Sequence, residues 1–205
     1  MLATDEYMYK LDKAAHLAGI IKNPSELVHL IGVALNTFSF RYVRRCVGRG
    51  TVVGRHTVIV NSGNVQIGKN CLLQDGVYIR AGTEGRITIE DRVAVNSFCR
   101  LFGHGGITIG EDSQIGPGSL ITTTTHDYNR GLEASFEPVI IGRGVWMGAN
   151  VTVLSGVTIG DYAVVGAGSL VTKDISPGVI AVGSPAREIK KVQDISMCRA
   201  AGTSG

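Results

Sequence analysis

His126 is the side chain whose type and setting best suit chemistry. It lies in TTTTHDYNRGLEASFEP, the longest polar excursion of the chain. An imidazole titrates near pH 6.5, so at neutral pH it is half-poised to take a proton from a reluctant nucleophile such as a hydroxyl. Asp127 or Glu137 is a candidate to orient its second nitrogen. Covalent catalysis by a thiol has no candidate beside His126 in sequence, because Cys46, Cys71, Cys99 and Cys198 are scattered and form no CxxC. A catalytic zinc would need three protein ligands. Only His104 and His126 fall in neighbouring loops; His56 is two coils or more away, and His16 and His29 fall in the helical start. No metal site is therefore expected.

The elements that position these residues follow from a repeat. Between Val139 and Lys173 an aliphatic or Met residue recurs every six positions, at Ile141, Met147, Val153, Ile159, Val165 and Val171, and Gly follows at 142, 148, 160 and 166. Helices place apolar residues three and four apart and lone strands alternate by two, so neither explains a period of six. A chain that turns a corner every six residues does, closing a triangular coil in about 18 residues with the aliphatic side chain inside and a small residue at the turn. Such coils bury their apolar faces only against one another and must be stacked.

The beat begins at Val53 and Ile59, resumes at Ile67, Leu73 and Ile79, then at Ile89, Val95 and Leu101, and then at Ile109, Ile115 and Ile121. Between these runs the phase slips by two, four, two and finally fourteen residues, the last between Ile121 and Ile141. Each slip falls at a corner, where a bulge can leave the prism without breaking the stack. The longest is the polar, irregular excursion that carries His126, and solenoid insertions collect on a functional face. We expect three regions: a helical cap over 1–46, a solenoid over 47–176 with a protruding loop 122–138, and a strand, short helix and loose tail over 177–205. In the cap, Leu27, Leu30, Ile31, Ala34 and Leu35 share a helix face, with Asn23 or Ser25 as cap and Pro24 in the first turn.

Composition narrows the partners. The chain of 205 residues carries 28 Gly, yet 44% of it is hydrophobic, so it is neither collagen-like nor disordered. A net charge of +3, with no dense basic stripe interleaved with aromatics, argues against nucleic acid. Unpaired cysteines without a leader point to a reducing, cytoplasmic setting. The apolar run Leu27 to Phe40 is interrupted by polar residues and falls short of the roughly 20 residues that span a bilayer. The basic cluster RYVRR at 41–45 allows membrane contact that is at most peripheral; a helix packed on the prism with a solvated charged end is the plainer reading.

Together, VWMGAN, GVTIGDYAVVGAGSLVTKDI and VGSPAREI resemble the hexapeptide-repeat acyltransferases, most nearly the maltose/galactoside and surface-polysaccharide O-acetyltransferases. The resemblance covers roughly residues 50–192. It implies an all-β, left-handed parallel β-helix; handedness rests on the resemblance alone, since parallel crossovers in general favour the right hand. It further implies a homotrimer with acetyl-CoA in a groove between prisms, and places the family's catalytic histidine at His126. Asn96 falls where the sugar enzymes carry an active-site asparagine, although a corner Asn also bonds its own turn. His104 falls where they carry an acceptor-binding acid, a departure that withdraws a fixed negative charge.

For acetyl-CoA the resemblance points to Ala149, Ala167, Thr172, Lys173, Arg187 and Lys190. Small residues would admit the thin pantetheine arm, and the cations would face the ADP phosphates. Trp146 would pack at a corner or line that channel. The implied activity is acetyl transfer to a sugar or polysaccharide hydroxyl. N-acetylation of an amino sugar nucleotide is the alternative, with a zinc lyase of the carbonic-anhydrase type, built on the same prism, behind it on ligand count.

Overall fold

In the computed structural model, residues 24–127 and 131–192 are described. The expected helical start before Pro24, His16, Cys198 and the C-terminal tail lie outside them. The six-residue beat becomes a parallel β-solenoid of about six turns with three flat faces. The first face stacks Val52–Val53, Leu72–Leu73, Ala94–Val95, Gln114–Ile115, Trp146–Met147, Val164–Val165 and Val179–Val182. The second stacks Val58–Val60, Tyr78–Ala81, Arg100–Gly103, Leu120–Thr122, Thr152–Val153 and Leu170–Val171. The third stacks Val65–Ile67, Ile87–Ile89, Ile107–Ile109, Val139–Ile141 and Thr158–Ile159. Parallel pairing needs a long crossover, and one full coil supplies it.

Every beat residue from Val53 to Val171 named above points inward and is at most 3% exposed. Registers such as Ile59↔Ile79 and Leu101↔Ile121 put like on like, so each aliphatic side chain fills the layer beneath its neighbour. The fourteen-residue slip leaves this stack intact: Val139–Ile141 still pairs residue for residue with Ile107–Ile109. Three edges separate the faces. The first edge joins faces one and two, the second joins two and three, and the third returns to face one.

Helix α1 (Pro24–Phe38) starts with Pro24 and crosses the N-terminal coil. The expected packing face is not the one used. Val33 is buried, while Leu27, Ile31 and Leu35 face outward beside Val28 and Phe38. Polar bonds fix this orientation: Asn36 donates to the Gly54 carbonyl (2.8 Å) and the Thr37 hydroxyl accepts from the Val53 N–H (2.9 Å). No helix among the described residues is long and apolar enough to cross a membrane.

The short C-terminal helix is also corrected over its described part. Arg187–Lys191 is a strand, antiparallel to Val179–Val182. The last strand of the first face would otherwise present an open row of backbone groups, and pairing satisfies them.

Candidate active site

The excursion after Ile121 is more regular than its composition suggests. Thr124–Asp127 pairs antiparallel with Glu133–Phe136, with His126 opposite Ala134, so it projects from the second edge as a β-hairpin. Four consecutive threonines favour extended backbone, and Gly131 and Leu132 supply positive φ at the return.

The root of the hairpin is pinned by Thr123, which is fully buried. Its hydroxyl donates to the Phe102 carbonyl (3.0 Å) and accepts from the Gly105 N–H (2.8 Å). Its carbonyl accepts from the Glu137 N–H (3.0 Å) and from the Ser155 hydroxyl (3.0 Å). Gly105 is needed for this approach, because a Cβ there would lie 2.9 Å from the Glu137 nitrogen.

His126 is exposed on the hairpin, with Nδ1 3.0 Å from the Leu132 carbonyl oxygen. A carbonyl only accepts, so in neutral imidazole Nδ1 carries the proton and Nε2 keeps its lone pair. That tautomer is the one a general base requires. The partner seen at Nδ1 is thus a backbone carbonyl; the Glu137 carboxylate lies by Gly156 instead, and the Asp127 side chain lies outside the described residues. Leu132 gave no signal in the sequence, because the carbonyl direction follows from its left-handed backbone (φ 63) and not from its side chain.

His104 sits on the same edge, one coil below. Its ring stacks on Phe136 of the hairpin (centroids 5.7 Å apart, 29° between planes), and its Nδ1 is buried with no hydrogen-bond partner. His56 occupies the turn between Val53 and Val58, on the first edge, apart from the other two imidazoles. Among the described residues no three His, Cys, Asp or Glu side chains converge as metal ligands.

Cys46, Cys71 and Cys99 are buried and free. Burial raises the pKa of the Cys46 and Cys71 thiols and pushes Cys99 up to about 11, and neutral thiols are poor nucleophiles.

The remaining site residues divide between two edges. Asn96, Ala149 and Ala167 all lie on the first edge, Ala149 and Ala167 in successive turns and Asn96 two turns before Ala149. Asn96 donates Nδ2 to the Ile115 carbonyl (2.8 Å), so part of its amide is committed to the backbone. Ala149 and Ala167 stand among Gly116, Gly118, Gly148, Gly166 and Gly168, leaving this stretch bare of long side chains. Gly148 must be Gly, since a Cβ would come 2.6 Å from the Ala167 nitrogen. The N–H groups of Ala149 and Ala167 find no acceptor among the described residues. Such a bare edge with free amides suits a thin chain that carries its own amides, as pantetheine does.

Trp146 lies on the first face next to that edge, 48% exposed. Arg187, opposite Val182, reaches the edge end of the last strand pair, and Lys190, opposite Ile180, lies further back; both are exposed. Thr172 and Lys173, by contrast, follow Val171 onto the second edge, the edge of His126. Within one chain, then, the imidazole and the bare alanine turns lie on different edges.

Comparison with known proteins gives four results. The bacterial transferase hexapeptide family (six repeats) matches residues 138–173. The galactoside O-acetyltransferase of Escherichia coli K12 is 36% identical over 132 residues, 62% of this chain and 64% of that enzyme, so the chain covers just under two thirds of it. The putative lipopolysaccharide biosynthesis O-acetyl transferase WbbJ of the same organism is 34% identical over 65% of this chain and 74% of its own length. Among solved structures, AntD, an N-acyltransferase from Bacillus cereus bound to dTDP-4-amino-4,6-dideoxyglucose and coenzyme A, superposes with a TM-score of 0.71 at 22% identity, covering 82% of this chain and 92% of that one. This last likeness speaks to the fold.

Proposed function

The chain belongs to the hexapeptide-repeat transferases, and from that premise we propose that it is an acetyl-CoA-dependent O-acetyltransferase acting on a sugar or polysaccharide hydroxyl. The observation that carries this reading is the division of the site between two edges. His126, Thr172 and Lys173 belong to the second edge, and Asn96, Ala149, Ala167 and Arg187 to the first. A complete site therefore calls for the second edge of one copy against the first edge of a neighbour, and a cyclic trimer satisfies every copy at once. We assign the chain a homotrimeric, cytoplasmic state on this ground and on the free thiols of Cys46, Cys71 and Cys99.

Acetyl-CoA would supply the acetyl group as a thioester. His126 Nε2 takes the hydroxyl proton as the acceptor oxygen attacks, the C–O bond forms, the C–S bond breaks, and the proton passes to the departing thiol. The Leu132 carbonyl holds the ring in the required tautomer throughout. The free N–H of Ala149 is available to an oxyanion. Ala149, Ala167 and Trp146 would line the arm of the co-substrate, with Arg187, Lys190 and Lys173 toward its phosphates. Asn96 and His104 would meet the acceptor.

N-acylation of an amino sugar nucleotide is the second reading, since AntD carries out N-acyl transfer on a similar fold. Thiol release measured with matched hydroxyl and amine acceptors separates the two. Turnover on the amine alone overturns the first reading, and no thiol release with any acceptor overturns both.

A further inference from the structure

The second edge continues below the hairpin toward the N-terminal end of the prism. The register Val60↔Arg80↔Phe102↔Thr122 stacks four successive turns in one column. These are Asn61–Asn64, Gly82–Gly85, His104–Gly106 and the hairpin itself. At the lower end of the column opens a cleft of about 480 Å³, lined by Arg44, Arg45 and Arg86 together with Ser62, Asn64 and Gln66. Among the described residues no carboxylate lines it.

The three arginines are not equivalent. Arg44 is held in place: its Nη1 donates to the Ile59 carbonyl (3.0 Å) and its guanidinium lies 5.2 Å from the centre of the Phe40 ring. Arg45 and Arg86 are exposed, and their guanidinium groups make no hydrogen bond or ion pair among the described residues. Arg80, exposed on the adjoining strand, adds a fourth positive charge, and exposed Glu84 opposes them. Midway up the column stands His104, whose unpartnered Nδ1 carries no fixed negative charge. From the turn at Ser62 to the root of the hairpin is three strand spacings, about 14 Å.

We infer that the acceptor is an acidic glycan lying along this edge, its carboxylate or phosphate held by Arg45 and Arg86 while a hydroxyl a few sugar units away meets His126. The inference rests on the transferase reading and names the substrate class that reading leaves open. Guanidinium groups grip planar carboxylates and phosphates through paired N–H donors, so both anions fit. Tyr78 and Phe102, paired across the second face (5.6 Å between ring centres), offer an apolar flank on which a sugar ring can rest.

Direct binding on the full chain without acetyl-CoA tests this independently of turnover. Tetragalacturonate should bind at least about tenfold more tightly than maltotetraose, weaken as salt is raised, and lose that advantage in an R45Q/R86Q variant. Inorganic pyrophosphate should compete with it in the native chain and not in the variant. A parallel arm with phosphatidylglycerol vesicles addresses the other source of phosphate. Equal affinity for the acidic and neutral sugars, an unaffected double variant, or arginine-dependent binding to vesicles alone would each overturn the inference. If neutral sugars are acetylated while acidic ones do not bind, the transferase reading survives and this inference fails. If acidic sugars bind but no acceptor releases thiol, the transferase reading is the one that fails.

Discussion

The second and third edges are made by the same repeat, yet they treat several of their charged side chains differently. On the third edge, charges answer one another. Arg92 bonds Asp112 through Nε (2.6 Å) and Nη2 (2.8 Å) and Glu111 through Nη2 (2.7 Å), while Arg143 reaches Glu111 at 3.6 Å. Asp91 and Asp161 accept from the backbone of Lys69 and Arg143 in neighbouring coils. Asp112 first, and then Glu111, hold the proton of Arg92 more firmly than usual. On the second edge, Nε2 of His126 and the guanidinium groups of Arg45 and Arg86 have no partner among the described residues, and Nδ1 of His104 is buried without one. An edge that satisfies its own groups holds coils together; one that leaves them open is available to something else.

Substitutions should separate the two roles, and His126→Ala should do so most sharply. It should lower acetyl transfer by roughly 10²- to 10⁴-fold, with coenzyme A affinity and melting temperature unchanged, as read by thiol release, calorimetry and thermal unfolding. Unaltered turnover would remove the proposed base. Ala167→Leu places bulk on the bare first edge and should weaken coenzyme A binding by about tenfold, ~1.4 kcal/mol, without loss of stability because the position is exposed.

Thr123→Val tests whether the open edge depends on a satisfied root. Two hydrogen bonds of its hydroxyl vanish, so stability should fall by about 1–2 kcal/mol, together with turnover, in a denaturant titration paired with kinetics. Arg92→Met is the converse. Its guanidinium is more than a third exposed and screened by solvent, so it should cost only ~1 kcal/mol, a loss that shrinks in high salt, with kinetic constants unmoved. A change in turnover there would dissolve the contrast between the edges.

The smallest effect concerns neither edge but the core between them. Burial raises the Cys99 pKa from 9.0 to about 11, so the folded state keeps its proton longer than the unfolded chain does. Its contribution is complete below pH 9 and is lost as pH rises toward 11. Cys99→Ala should flatten that part of the stability–pH curve.

The prism was legible because its signal is carried by side chains that repeat. Each aliphatic beat residue, from Val53 to Val171, predicts its own burial, and the slips predict the corners. What failed to show in the sequence depends on partners the sequence does not name. Leu27, Ile31 and Leu35 form an apolar row in helix α1, but Asn36 and Thr37 decide which side meets the prism. Arg187–Lys191 reads as a basic helix until an unpaired strand edge is there to receive it. His126 stood out by its place in the excursion, whereas the group that orients it is a main-chain oxygen. The split of the site across two edges emerges only when the coils are folded back on themselves.

The way the hairpin is attached has a consequence for how such a protein changes. Val139–Ile141 continues the ladder above Ile107–Ile109 as though the intervening residues were absent, and the attachment rests on Thr123, Gly105 and Ser155. A different insert spliced between Thr123 and Glu137 would meet the same scaffold and the same docking points. Preference for a new acceptor can therefore be acquired by exchanging one projecting module, with the load-carrying column left untouched.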